Sequence, residues 1–142
     1  MISAERAQQL KAIGLEWRPA ERDLFIMPDH NLDGHIFVVS PLPALVQTFG
    51  GQQTITFHGS IEWALDYVVL TEAVWLPSET QLRDLLSNAI GPAAPLRLER
   101  LANEYRLLVG IGADLFEFES TNAEECYAQA LLRALAPPGD RQ

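Results

Sequence analysis

Leu96-Arg97-Leu98-Glu99, Tyr105-Arg106-Leu107-Leu108-Val109 and Leu115-Phe116-Glu117-Phe118-Glu119 decide how this chain is read. The first and third runs alternate apolar with charged residues, the period-two signature of a half-buried strand. Between the runs stand Ala102-Asn103 and Gly110-Ile111-Gly112, residues suited to tight turns. The stretch therefore reads as a three-stranded antiparallel meander. Its outer face would carry Arg97, Arg106, Glu117 and Glu119, paired across the strands.

Helix signals flank the meander. Ser78-x-x-Gln81 is a capping box, and Leu82, Leu85, Leu86, Ala89 and Ile90 follow at helical spacing until Gly91-Pro92. Thr121-x-x-Glu124 reads as a second capping box. It would open a helix that buries Ala123, Tyr127, Ala130, Leu131, Ala134 and Leu135 and ends at Pro137-Pro138. Near the N-terminus, Ser3 can cap a helix through Ile13, with Gly14 as its left-handed stop and Leu15 folding back.

Outward from there, Leu24 to Met27 and His35 to Val39 read as strands joined by a turn at Asp33-Gly34. Thr54 to His58 alternates as a further strand, with Ile55 and Phe57 inward. Ser60 to Ala73 reads as a fourth helix with a narrow polar stripe, Glu62 and Asp66. The β-branched residues of Tyr67-Val68-Val69-Leu70 would equally make a strand.

The fold class is α+β: antiparallel β-meanders with flanking helices over a single domain, residues 1–136, and a polar tail at 137–142. Each half, 1–76 and 77–136, follows the same αβββα order, and Ala-Ile-Gly recurs at Ala12 to Gly14 and Ala89 to Gly91. Two readings stand: a diverged duplication about a pseudo-twofold axis, or one domain whose meanders share no ancestry.

Composition narrows the function. With 142 residues, 48% hydrophobic and 20% charged, the chain can bury a core unaided. A net charge of −9 with dispersed basic residues argues against nucleic acid and anionic membranes as partners. The single cysteine, Cys126, forms no intramolecular disulfide, and neither a leader nor a membrane-length apolar run is visible. A cytoplasmic setting is expected.

One segment reads as chemistry. Asp29-His30-Asn31-Leu32-Asp33-Gly34 resembles the first half of an EF-hand calcium loop, with oxygen ligands from Asp29, Asn31 and Asp33. Pro28 precedes it, and Ser40 stands where the bidentate glutamate belongs. A hairpin tip favours the same residue types for turn geometry alone, and that reading is preferred. His30, His35, Asp33 and His58 form the residue set for a transition metal, although no spacing fixes His58 near the others.

Cys126 reads as a packed thiol, and Glu117 and Glu119 as a solvated strand face. The tryptophans Trp17, Trp63 and Trp75 read as core, and as hot spots for a partner wherever exposed. No catalytic residue or cofactor is assigned. In element order, size and acidity the chain resembles the small secretion chaperones of type III systems. That resemblance implies a cytoplasmic, dimeric, non-enzymatic protein that binds unfolded segments. Two functional expectations follow. The first is a non-enzymatic binding or regulatory module acting on a protein partner or by homodimerisation; the alternative is a calcium or transition-metal protein, or an enzyme, centred on Asp29 to Gly34.

Overall fold

The structure is a computed structural model. It describes residues 1–28, 35–39, 45–49, 52–56, 67–69 and 72–137. Among the described residues, three helices and three antiparallel three-stranded sheets make it α+β. Contacts divide the chain into two units, Met1–Leu15 with Pro77–Gln142, and Glu16–Leu76.

In the first unit, α1 (Ala4–Ala12) begins where Ser3 Oγ accepts the Arg6 amide at 3.1 Å. Its end is a Schellman turn: Leu15 N–H reaches the Leu10 carbonyl and Gly14 N–H the Lys11 carbonyl, with Gly14 at φ +102°. The capping box forms at α2 (Glu79–Ile90), where Ser78 and Gln81 exchange hydrogen bonds. The third helix, α3 (Ala123–Leu135), departs from expectation. Asn122, not Thr121, is its N-cap, accepting the amides of Glu124 and Glu125 at 2.8 and 3.3 Å. An Asn carbonyl is as good an acceptor as a Thr hydroxyl, so the capping-box spacing alone placed the start one residue early.

Sheet C of this unit is the expected meander, in the order β7 (Leu96–Arg100), β8 (Tyr105–Ile111), β9 (Asp114–Ser120). The β7–β8 turn falls at Ala102-Asn103 as expected, bracketed by Leu101 N–H on the Glu104 carbonyl. The second turn is later than expected, because Gly110 and Ile111 belong to β8 and the turn is Gly112-Ala113. Gly112 takes φ +63°, the conformation that the first central position of a type II′ hairpin needs.

The apolar row of β8, Leu107, Val109 and Ile111, is buried. Helix α3 packs against β8, β9, α2 and α1. Its buried residues include Ala123, Ala128, Ala130 and Ala134, whose short side chains let the surrounding layers close in.

The second unit holds two sheets. Sheet A runs β2 (Phe37–Val38), β1 (Leu24–Ile26), β6 (Val74–Leu76). Phe25 faces Phe37 on one neighbour and Trp75 on the other. Trp17 stacks over this row, 5.5 Å from Phe25 and 6.3 Å from Trp75. Sheet B runs β3 (Leu45–Phe49), β4 (Gln52–Thr56), β5 (Tyr67–Val69). Of the two readings of this stretch, a helix over Ser60 to Ala73 or a strand at Tyr67 to Leu70, the strand holds where the structure describes it: Tyr67 to Val69 pair with β4, and Val74 to Leu76 form a further strand. The β-branched pair Val68-Val69 outweighs the helical spacing once a partner strand is present. Residues 57–66 lie outside the described residues. Strand β3 was also not foreseen.

Candidate functional site

None of the ligands expected for calcium, Asp29, Asn31 and Asp33, lies within the described residues, and the same holds for His30 and His58. His35 is exposed. Among the described residues no three His, Cys, Asp or Glu side chains gather as a metal site. Cys126 is fully buried and donates its thiol to the Tyr105 carbonyl at 3.5 Å. Burial pushes its pKa up, so it is held as a neutral, unreactive thiol.

A different place stands out on sheet C. Opposite the buried row, Arg106 on β8 lies across from Glu99 on β7 and Glu119 on β9. Its Nε is 3.1 Å from Glu119 and also contacts Glu117, while Arg97 pairs with Glu99 at 3.1 Å. Arg106 with Glu117 and Glu119 is the cross-strand pairing expected from the sequence, whereas Arg97 pairs with Glu99 two residues along its own strand and not across the sheet. The hydrogen bond with Glu119, then the charge of Glu117, holds the Arg106 guanidinium more firmly protonated. Side chains of Glu117 and Glu119 remain 47% and 46% exposed, so the pairs add little stability.

Among the described residues, strand β9 ends the sheet. Its outer face carries Leu115, 76% exposed, in line with Glu117 and Glu119. Its inner face carries Phe116 and Phe118, stacked at 6.3 Å and only half-buried. Arg133 from α3 lies over the Phe116 ring at 4.7 Å, a cation–π contact on that inner side.

Backbone polarity follows from the register. A two-residue turn makes Ile111 and Asp114 a mutually bonded pair, and bonded pairs then alternate along the ladder. Phe116 and Phe118 therefore bond to β8. The N–H and C=O groups of Leu115, Glu117 and Glu119 point to the sheet edge. Period-two alternation along β9 puts Leu115 on the glutamate face, but says nothing of its being at the last position of the sheet. That required the strand order.

Comparison with known proteins found no matching family, no matching characterised protein and no matching solved structure. Among the described residues no helix is long and apolar enough to cross a membrane.

Proposed function

We propose that this chain is a non-enzymatic protein-binding or regulatory module of the cytoplasm that engages its partner along the β9 edge. The observation that carries this reading is Leu115, 76% exposed on a seven-residue terminal strand whose inner phenyl rings are only half-buried. Edge strands of this length attract pairing, and main-chain groups at such an edge bind an added strand while exposed side chains set its chemistry. Self-association has a separate candidate in β2, the terminal strand of sheet A, where Val38 is 44% exposed and the preceding Ile36 49%.

A photoreactive benzoylphenylalanine at position 115, compared with one at Asn88 on the exposed side of α2, tests the reading in cells of its source. One adduct of defined mass at 115 and none at 88 is expected. Equal labelling at both positions, or none at 115, would overturn it.

A further inference from the structure

We infer that the β9 edge accepts an extended segment as a fourth, antiparallel strand, and that this segment alternates basic with apolar residues. The inference rests on the reading above and adds the chemistry of the partner.

Geometry supplies the first half. Leu115, Glu117 and Glu119 direct their backbone groups outward, so an incoming strand bonds at those three residues. Phe116 and Phe118 occupy the inner face at the last strand position and are half-buried. A further strand would complete their cover if its inward residues were apolar.

Charge supplies the second half. Strand β9 contains Asp114, Glu117 and Glu119 and no cation. One guanidinium, Arg106, is shared between Glu117 and Glu119, which leaves two carboxylates against one positive charge. A residue added opposite either glutamate on the outer face lies within about 5.5 Å of it, where an opposite charge stabilises and a like charge opposes pairing. A second copy of β9 added antiparallel about Glu117 would set Glu117 against Glu117 and Leu115 against Glu119. In that register the edge rejects its own kind. Arg133 over Phe116 keeps the inner side positive, so the basic residues of the segment belong on the outer face only.

The antiparallel register also says which amides of the segment matter. Residues directly opposite Glu117 and Glu119 share their face and exchange hydrogen bonds with them. The bonding amides are thus those of the basic residues.

The probe is a capped eight-residue peptide alternating arginine with valine, titrated into the full chain by fluorescence anisotropy at low salt. We expect it to bind at least tenfold more tightly than its glutamate–valine counterpart. N-methylation of the arginine amides should abolish binding, whereas methylation of the valine amides should leave it within about twofold. In Glu117→Lys/Glu119→Lys the preference between the two peptides should reverse. Equal binding of both peptides, no binding by the arginine peptide, or any other methylation pattern would overturn the inference. The methylation arms use the unaltered protein and so do not depend on that variant folding. Should the peptide fail while the crosslink at 115 persists, edge binding stands with a different partner chemistry. Failure of both would remove the module reading itself.

Discussion

Trp17 donates its indole N–H to Asp23 Oδ2 at 3.0 Å, and the same oxygen accepts the Ala20 amide at 3.0 Å. Asp23 is only 5% exposed, so one carboxylate fixes the loop that carries Trp17 onto the aromatic row of sheet A. Asp23→Ala leaves the half-buried Trp17 indole and the exposed Ala20 amide without this acceptor and should cost about 1–3 kcal/mol. Asp23→Asn keeps an acceptor and should cost about half as much. Trp17, Trp63 and Trp75 all lie in the unit Glu16–Leu76, so tryptophan fluorescence in a urea titration reads that unit directly. An unchanged midpoint for Asp23→Ala would refute the assignment.

A Cβ on Gly110 would stand 2.7 Å from Pro95 Cδ, and Gly110 N–H bonds the Pro95 carbonyl at 2.9 Å. Neither a pyrrolidine ring nor a bonded strand end yields easily. Gly110→Ala should therefore destabilise by about 1–3 kcal/mol. Combining it with Pro95→Ala should return part of that loss, a non-additivity that a double-mutant cycle measures. Strict additivity would mean that the two residues do not collide.

Glu125 links α1 to α3. Its two oxygens take the Ser3 amide at 2.7 Å and Arg6 Nε at 3.0 Å. Glu125→Ala should cost about 1.5–3 kcal/mol, since both bonds are charge-assisted and the carboxylate is mostly shielded. Glu125→Gln, which retains an acceptor, should cost about 1 kcal/mol or less. Hydrogen exchange at the buried Ala7 and Leu10 amides should quicken in the alanine variant before that of α2. Uniform quickening throughout the unit would contradict a local latch.

Burial raises the pKa of the Cys126 thiol, and burial followed by the nearby Glu79 charge raises that of the Tyr127 phenol. Each group is neutral when protonated, and its folded pKa lies above its unfolded one. Their contribution is therefore complete below the unfolded values, about 8.5 for thiol and 10 for phenol, and is lost as pH rises through the folded values. Stability should fall from about pH 8.5 upward, and Tyr127→Phe should flatten the part of that fall above about pH 10. Thiol-reactive dye should label Cys126 only as fast as its unit opens. Rapid labelling of the native protein would show the thiol to be accessible.

The sequence of Asp29 to Gly34 is read as a turn in preference to an ion site, and these residues lie outside the described ones. Calcium, zinc and EDTA should then leave the melting temperature unchanged in the native sequence and in Asp29→Ala and Asp33→Ala. A rise with one metal, abolished by both variants, would establish a metal loop instead.

The elements that sequence made legible are those whose signals are local. Ser3, Ser78 and Gly14 act within one helical turn, and the charge ladder around Arg106 needs only neighbouring strands. What escaped depended on partners distant in sequence. Val74 to Leu76 is a strand because β1 lies beside it, and the two readings of Tyr67 to Val69, helix or strand, are decided for strand because β4 pairs with it. The same limit hid the candidate site. That Glu117 and Glu119 share a face is a matter of parity; that no strand among the described residues follows β9 in its sheet is a matter of topology.

Helix α1 finds its place on α3, from which it is separated by the whole Glu16–Leu76 unit, α2 and sheet C. On the ribosome these two helices emerge far apart in time. Chain growth at about 5–20 residues per second puts on the order of 5–20 s between Ala12 and Ala123. For that interval Leu10 and its neighbours have no native surface to cover them, while residues 16–76 can already pair their strands. The order of synthesis thus favours completing the inserted unit before the one that encloses it in sequence.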